Sequence, residues 1–214
     1  HEQKDIENIK KLRELQKELP SFCSDFFRGI ETSTSTRTRI AYAYDLKIFF
    51  QFLKTANPGT FDNPSHTLTP SDLEKLTVTD LEEYIDYLKC HPSDTNEDVI
   101  NTERGLMRKV SSLRSFYSYF FRNERIEKNP AALVRMPKLH EKEIIRLEID
   151  EVAKLLDEVE EGDKLTEKQK LYHERTKVRD LAMMSLLLGT GIRVSECVGL
   201  NINDIDLDTC GARV

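Results

Sequence analysis

An apolar segment that ends at a glycine-rich turn constrains the fold of this chain more than any other feature. Residues 181–188 are almost wholly apolar, and Gly189 and Gly191 break the run. Because glycine accepts backbone angles that other residues avoid, the pair predicts a tight reversal set between two buried segments. Arg193 comes directly after, near the start of a short predicted helix. Its planar fork of donors stays protonated and suits a phosphate diester.

A second interpretation of this arginine is purely structural. Glu196 lies three positions after Arg193, on the same side of the predicted helix. In this interpretation Arg193 caps the helix and pairs with Glu196 inside the fold, without any ligand. A turn motif of this length also matches by chance, so the motif alone does not separate the two interpretations.

The net charge of −6 is unevenly distributed along the chain. Residues 101–146 hold 11 Lys and Arg against 5 Asp and Glu, whereas residues 1–100 hold 12 against 18 and residues 147–214 hold 9 against 15. The basic excess is therefore confined to one stretch. Such a local excess is compatible with binding to duplex DNA, because counterion release depends on the charges that reach the phosphates. The alternative is an ordinary solvated face.

Hydropathy and cysteine spacing limit the class of protein. No apolar run approaches the roughly 20 residues that a membrane-spanning helix needs, and no secretory signal opens the chain. The four cysteines are Cys23, Cys90, Cys197 and Cys210, and no two of them form a C-x-x-C pair. These features predict a cytoplasmic protein with reduced thiols and without a metal site.

The first basic segment is a predicted helix over residues 36–54, at the end of the hydroxyl-rich residues 31–38. Apolar residues occur on two of its sides, which indicates a central, mostly buried helix. Its exposed start presents Thr36, Arg37 and Arg39. Because hydroxyls, cations and unpaired backbone N–H groups at a helix N-terminus form an anion site, we expect phosphate contacts there. The alternative is a well-capped helix with two solvated arginines.

The second basic segment is a predicted helix over residues 98–123. Aromatic and aliphatic residues line one face, and the opposite face carries no acidic residue between Arg104 and Arg122. Long cations interleaved with small serines let a helix approach DNA closely, whereas an ordinary surface helix shows mixed acidic and basic pairs. The candidate DNA contacts on and beside this face are Arg104, Arg108, Lys109, Ser111, Ser112, Arg114 and Ser115.

Prolines and changes of pattern divide the chain into segments. We predict an amphipathic N-terminal helix over residues 1–18, a helical domain over 19–134, a linker over 135–147 and a second domain over 148–214. Shorter predictions are a capping box formed by Thr79 and Glu82, a loop over residues 91–96, an exposed irregular excursion over 162–175, and a strand in which Ile205 and Leu207 alternate with aspartates.

Three stretches resemble the tyrosine recombinases, the phage-integrase and Xer-type family of site-specific DNA recombinases. The stretch around Arg193, G-T-G-I-R-V-S-E-x-x-x-L, resembles the first catalytic-arginine box of that family. S-T-R-T-R-I-A-Y-A-Y-D-L-K-I-F-F-Q-F-L resembles its second core-binding helix, and R-K-V-S-S-L-R-S-F-Y-S-Y-F-F-R-N with a later N-P resembles its last helix and exit turn. The likeness extends from about Leu19 to Leu207, and agreement of several motifs in order makes it more specific.

The resemblance implies a mainly α fold, in which a SAM-like four-helix core-binding domain is joined to the first part of a mixed α/β catalytic domain. In this family the two domains close around duplex DNA. The implied partners are a DNA recombination site and, for the complete protein, further copies in a tetramer on DNA. No small-molecule substrate and no cofactor, neither ATP nor a metal, is implied. The implied location is the cytoplasm, with the nucleoid, of a bacterium, phage or mobile element.

The chemistry that the resemblance implies is DNA strand exchange. In the family a tyrosine attacks the scissile phosphate, which leaves a 3′-phosphotyrosyl bond and a 5′-hydroxyl that later attacks the partner strand. Arg193 matches the cation that neutralises charge developing on the phosphate oxygens. Glu196 matches the acidic residue that supports the site.

The chain departs from the family pattern after the arginine box. The catalytic lysine, the histidine and arginine box, the second histidine or tryptophan and the nucleophilic tyrosine would all come after Val214, and neither Tyr42 nor Tyr172 matches the nucleophile. We therefore expect the N-terminal part of a recombinase, which alone is inactive and binds its DNA weakly or not at all. Two other functions stay open: a non-catalytic DNA-binding module or short regulator of recombination, and a helical interaction protein, which would show no salt-dependent DNA binding.

Overall fold

Helices make up most of the chain in the computed structural model, which describes residues 2–92, 97–140, 143, 145–206, 208–209 and 211–213. The expected mainly α fold class is confirmed. The chain divides into two compact units, unit 1 (His1–Glu141) and unit 2 (Lys142–Val214). Among the described residues, no helix is both long enough and apolar enough to cross a lipid bilayer.

The described residues of unit 1 form helices and one short antiparallel ribbon. Its elements are α1 (Glu2–Lys17), α2 (Cys23–Gly29), α3 (Thr36–Ala56), α4 (Pro58–Phe61), a 3₁₀ turn (Pro70–Lys75), α5 (Val78–Lys89), β1 (Cys90–Pro92), β2 (Asp98–Ile100), α6 (Glu103–Arg122) and α7 (Pro130–Leu133). Strands β1 and β2 pair with His91 opposite Val99. The prediction of a loop over 91–96 is therefore wrong at its start, and residues 93–96 lie outside the described part.

An aromatic cluster, formed by Phe22, Phe26, Phe50, Phe116 and Phe120, holds α2, α3 and α6 together. Phe116 meets Phe26 edge-to-face, with ring centroids 5.2 Å apart, and meets Phe120 in the same way at 5.1 Å. Rings in this arrangement stabilise a core beyond the area they bury. Because helical spacing places these rings on one side of α6, the opposite side of that helix is left for polar residues.

Helix α1 is part of the same packed unit. It packs along α3, and its Leu12 and Leu15 are buried. Ile6 and Ile9, nearer the N-terminus, are exposed. The amphipathic pattern of α1 is thus used over its second half, while the first half leaves apolar side chains in solvent.

Helix α5 begins two residues earlier than the capping-box prediction implied. Thr77 and Asp80 form the box: the Thr77 backbone N–H donates to Asp80 Oδ2 at 2.6 Å, and the Asp80 backbone N–H donates to Thr77 Oγ1 at 3.3 Å. The predicted pair Thr79 and Glu82 is therefore wrong. The earlier start brings Val78 into the first turn, where it packs against the core.

Asp72 closes the start of the 3₁₀ turn from a nearly buried position. Its carboxylate accepts hydrogen bonds from Lys75 Nζ at 2.7 Å, from the Thr69 backbone N–H at 2.9 Å, and from His66 Nε2 at 2.9 Å. Burial by itself raises the pKa of Asp72, but these hydrogen bonds outweigh burial and lower the pKa to about 2. The ionised form is therefore stabilised by folding.

Replacing Asp72 by asparagine is expected to lower the free energy of unfolding by about 2 kcal/mol at neutral pH. The folded pKa lies below the unfolded one, so the contribution is present above the unfolded pKa of about 4 and fades as pH falls toward 2. Urea unfolding of both proteins across this pH range measures the difference. Asp62→Asn, at an exposed position, is the control. A difference between wild type and Asp72→Asn that stays constant with pH would contradict this account.

Unit 2 contains three helices and a minimal strand pair within the described residues. Its elements are α8 (Ile149–Glu161), α9 (Glu167–Thr190), α10 (Val194–Gly199), a 3₁₀ turn (Ile202–Asp204), β3 (Ile205–Asp206) and β4 (Gly211–Ala212), and the two strands pair antiparallel. The predicted strand is confirmed at Ile205. Leu207 and Cys210, which belonged to the strand and cysteine predictions, lie outside the described residues.

Two predictions for unit 2 are wrong. Residues 167–175 belong to α9 and are not irregular, because Thr166 and Gln169 form a capping box and Lys170 pairs with Glu167 one turn away. The segment 178–188 is helical as expected, but it is not buried. No residue of α8, α9 or α10 is buried, and Val178 is 78% exposed. The helices that pack against α9 are α8 and α10, and both are shorter than α9, so they leave part of its surface exposed.

Candidate functional site

The corner that carries Arg193 depends on one glycine. Helix α9 ends at Thr190, and its C-cap is Gly191, which has φ 69° and ψ 15° and whose N–H donates to the Leu187 carbonyl at 2.9 Å. This left-handed conformation favours glycine. Gly189 lies inside the last turn of α9 and makes no tight reversal, so only half of the predicted glycine pair shapes the turn.

Arg193 is the N-cap residue of α10, so it lies at the start of a short helix, which is the position that the sequence pattern predicted. Glu196 accepts two hydrogen bonds from it at 2.7 Å: Oε2 from the Arg193 backbone N–H, and Oε1 from Nη1 of the guanidinium. The backbone N–H and, to a lesser extent, the guanidinium hold the pKa of Glu196 below its ordinary value. Glu196 thus caps the helix and orients the arginine at the same time.

Most of the Arg193 guanidinium remains available for a ligand. The side chain is 81% exposed, and among the described contacts only Nη1 donates a hydrogen bond. A guanidinium has five N–H donors in a fixed plane. Its neighbours Val194 and Val198 are also exposed, so the expectation of a corner between two buried segments is wrong. The Arg193 guanidinium is thus anchored through Nη1, and its other N–H groups, which have no partner among the described residues, are free to donate hydrogen bonds to a phosphate oxygen.

The start of α3 presents one of its two arginines to solvent. Ser35 caps the helix, and its Oγ accepts from the Thr38 backbone N–H at 3.1 Å. Arg37 is exposed and Thr36 is half-buried. Arg39 is buried: its Nη1 donates to Glu31 Oε1 at 2.8 Å. Residues two apart on a helix point about 200° away from each other, so Arg37 and Arg39 cannot share a face. The expectation of an exposed Arg39 is wrong.

The polar face of α6 is narrower than the sequence predicted. Arg104, Arg108 and Ser111 are exposed, and Ser115 is half-buried. Three further candidates, Lys109, Ser112 and Arg114, make contacts within unit 1 and are not exposed. The reason is that α2, α3, α5 and α7 all pack against α6. Together they cover the flanks that a two-faced pattern leaves to solvent.

Each of the three corrected positions has a structural environment of its own. Lys109 is 8% exposed, and its Nζ donates to Asn101 Oδ1 at 2.8 Å, while burial lowers the pKa of Lys109. Ser112 is fully buried. Arg114 donates through Nε to the Ala131 carbonyl at 3.1 Å and through Nη2 to the Val134 carbonyl. Its guanidinium therefore closes the end of α7.

One charged residue near this face was missed by the sequence reasoning. Asp45 on α3 is 2% exposed, and its Oδ2 accepts from Arg108 Nη1 at 2.6 Å. Burial raises the pKa of Asp45 to about 6, although Arg108 and Lys109 act in the opposite direction. A signal was present in the sequence, because Asp45 stands between Tyr44 and Leu46 in a segment predicted to be buried. Buried acids are rare unless they are paired.

The exposed faces of α3 and α6 meet at Arg108, whose Nη1 lies 3.5 Å from the Ala41 carbonyl. Residues four apart on a helix lie one above the other. Arg37 and Arg104 are therefore each one turn from this contact. Within the described part of the chain, neither Arg37 nor Arg104 has an ion-pair partner. The structure thus brings three exposed arginines toward one region of an otherwise acidic chain.

Comparison with known proteins gives a consistent result for both units. The model of the phage integrase family matches residues 145–214. Tyrosine recombinase XerC from Caldanaerobacter subterraneus subsp. tengcongensis is 35% identical over 198 residues, which cover 88% of this chain and 50% of that protein. Tyrosine recombinase XerS from Streptococcus uberis is 31% identical over a gapped alignment of 224 positions, which covers 93% of this chain and 61% of that protein.

Another relative, tyrosine recombinase XerC from Chlorobaculum tepidum, is 31% identical over 180 residues, which cover 82% of this chain and 49% of that protein. The chain spans about half the length of most of the curated relatives it matches. No solved structure is significantly similar to it.

Proposed function

The chain belongs to the tyrosine recombinase, or phage integrase, family, and on that premise we propose that it binds duplex DNA and, within a longer protein, takes part in breaking and rejoining DNA strands through a 3′-phosphotyrosyl intermediate. Residues 19–134 are then the core-binding domain, after the helix over 1–18. Residues 135–147 form the linker, and residues 148–214 begin the catalytic domain. The complete protein acts as a homotetramer on DNA in the cytoplasm.

The observation that carries the DNA-binding part is the exposed cation set of unit 1. Arg37, Arg104 and Arg108 are exposed on neighbouring faces of α3 and α6, in a chain whose net charge is −6. Arginine pairs with phosphate through its planar fork, and phosphate contacts position a protein on the duplex without reading its sequence. Ser111, which is also exposed, adds a small hydroxyl that lets the backbone of α6 approach closely.

The remaining candidate DNA contacts differ in how exposed they are, and so in the role that we propose for each. Thr36 and Ser115 are half-buried and supply hydroxyls beside the exposed arginines. Arg39, Lys109 and Arg114 form hydrogen bonds inside unit 1, and they support the interface by fixing α3, α6 and α7. Ser112 is fully buried in α6, and its hydroxyl has no hydrogen-bond partner among the described residues.

The chemical role that we propose for unit 2 belongs to Arg193. Its anchored, mostly exposed guanidinium suits a non-bridging oxygen of the scissile phosphate, where negative charge grows as the nucleophile attacks. Glu196 does not contact the phosphate in this proposal. It is a positioning residue, because it fixes both the helix start and one guanidinium donor. Pre-organised charge of this kind needs no rearrangement at the moment of reaction.

Salt-dependent DNA binding tests the proposal directly. We expect the 214-residue chain to bind a fluorescently labelled duplex of arbitrary sequence weakly, with affinity that falls steeply between roughly 50 and 200 mM salt. Arg37→Ala and Arg104→Ala are each expected to reduce the slope of log affinity against log salt by about one, because each removes one phosphate contact. Fluorescence anisotropy titrations at several salt concentrations measure both quantities.

Lys89→Ala is the matched control for this experiment. Lys89 is an exposed cation of unit 1 that ends α5 and pairs with Asp86, outside the α3 and α6 faces. Its loss is expected to leave the slope unchanged. If the wild-type chain showed no salt-dependent binding, or if all three variants changed the slope equally, the proposed interface would be rejected in favour of a helical interaction protein.

A further inference from the structure

A buried carboxylate contacts Arg108, one of the exposed cations on the α3 and α6 faces. Asp45 is almost completely enclosed, and its Oδ2 accepts a hydrogen bond of 2.6 Å from Arg108 Nη1. Its other oxygen, Oδ1, is buried and has no hydrogen-bond partner among the described residues. Placing a charge there opposes folding unless a partner compensates, and Arg108 is the partner in direct contact.

One side of the Arg108 guanidinium is bound by the protein, and the other side faces solvent. Its side chain is 45% exposed. Within the described contacts only Nη1 is used, toward Asp45 and toward the Ala41 carbonyl. The remaining donors of the guanidinium have no protein partner there. An arginine that is already fixed loses less side-chain freedom when it captures a phosphate than one that is free to rotate.

We propose that Asp45 is a positioning residue for DNA binding: its carboxylate anchors the inner edge of Arg108 so that the outer edge receives a phosphate oxygen of the duplex. This inference rests on the proposed DNA-binding function of the α3 and α6 faces. In this proposal the negatively charged Asp45 strengthens the binding of negatively charged DNA, whereas its charge alone would weaken that binding.

The sign of the effect separates positioning from simple electrostatics. A carboxylate near DNA repels phosphates, so its removal should strengthen binding if charge alone matters. If Asp45 positions Arg108, its removal should weaken binding, although the chain becomes less negative. Asp45→Asn is the suitable change, because it keeps the shape and removes the charge that the Arg108 hydrogen bond depends on.

The groups that face Asp45 come from two further helices. Arg108 and Lys109 lie on α6, and the Tyr84 hydroxyl on α5 donates to the Asp45 main-chain carbonyl at 3.5 Å. Because burial raises the pKa of Asp45 to about 6, lowering the pH from about 7 to about 5 protonates Asp45 and removes the anchor without a mutation.

The experiment is a double-mutant cycle on the 214-residue chain with Asp45→Asn, Arg108→Ala and the double variant. Anisotropy titrations use one labelled duplex of about 30 base pairs at low salt, and thermal unfolding checks each fold. We expect Asp45→Asn to weaken binding about three- to tenfold and to have no further effect when Arg108 is already alanine. Asp86→Asn, which removes an exposed carboxylate of α5, is the control and should not weaken binding.

The pH dependence of the folded wild type provides a second measurement if Asp45→Asn fails to fold. Wild-type binding should weaken between about pH 7 and about pH 5 relative to Arg108→Ala. Tighter or unchanged binding by Asp45→Asn, while Arg108→Ala weakens it, overturns the inference and leaves the proposed function standing. A loss that persists in the Arg108→Ala background also overturns it, because Asp45 then acts on the fold. Absence of salt-dependent binding by the wild type rejects the proposed function itself.

Discussion

Replacing Arg193 by alanine in a longer protein that carries this sequence and cleaves DNA as proposed is expected to reduce strand cleavage by about 10²- to 10³-fold, the usual effect of removing one preorganised donor from a developing oxyanion. DNA binding and folding should change little. The Arg193 side chain is 81% exposed and touches the protein mainly through Glu196, so its loss leaves no cavity. Covalent protein–DNA adducts formed on a nicked suicide duplex measure cleavage, and anisotropy measures binding.

Two further variants show whether the loss of cleavage in Arg193→Ala is specific to the arginine corner. Glu196→Gln keeps an oxygen for the Arg193 backbone N–H and loses the charge that pairs with the guanidinium, so we expect a smaller loss of cleavage, about tenfold. Arg175→Ala removes an exposed arginine from α9 and should have no effect. If Arg193→Ala lost binding and stability together with cleavage, Arg193 would be a structural helix cap and not a catalytic residue.

The second large effect is expected in the aromatic cluster of unit 1. Phe116→Ala should lower the free energy of unfolding by about 3–5 kcal/mol, because a buried phenylalanine is replaced where the neighbouring rings cannot close the cavity. Phe116 is fully buried, and its ring centroid lies within 6.3 Å of those of Phe22, Phe26, Phe50, Tyr117 and Phe120. Since domains of this size are stable by about 5–15 kcal/mol, the variant would lose between about a fifth and all of that stability.

Tyrosine fluorescence during urea unfolding measures this loss for unit 1 specifically. The chain has no tryptophan, and Tyr172 is the one tyrosine outside unit 1. Phe121→Ala is the control, because Phe121 is next to the cluster on the same helix but is 46% exposed. Its expected cost is below about 1 kcal/mol. Equal losses for Phe116→Ala and Phe121→Ala would show that the aromatic cluster does not hold α2, α3 and α6 together.

Periodic patterns predicted the helices of unit 1 well, because apolar spacing reports directly which side of a helix is covered. The aromatic residues of α6 and the capping serine before α3 are examples in which local sequence and packing agree. The same pattern could not show how wide the covered side is. Lys109 and Ser112 look polar in sequence, yet α2, α3, α5 and α7 surround α6 and enclose both.

The arginine corner was predicted in position but not in environment. The left-handed backbone at Gly191 and the helix that starts after Arg193 result from local chemistry, which the sequence contains. The exposure of Val178 and Val194 depends on which other elements are available to cover them, and composition does not report that. The Asp45–Arg108 pair was missed for a similar reason, since its partners are 63 residues apart in the chain.

Because Arg114 donates to several backbone carbonyls at the end of α7, a residue of the same charge cannot replace it at this position. Its Nε and Nη2 reach the carbonyls of Ala131, Ala132 and Val134, which one planar fork can span and a single ammonium group cannot. Lysine would conserve the charge but leave carbonyls without a donor. The route by which the backbone leaves α7 is therefore set by a side chain of α6, whether or not a ligand is bound.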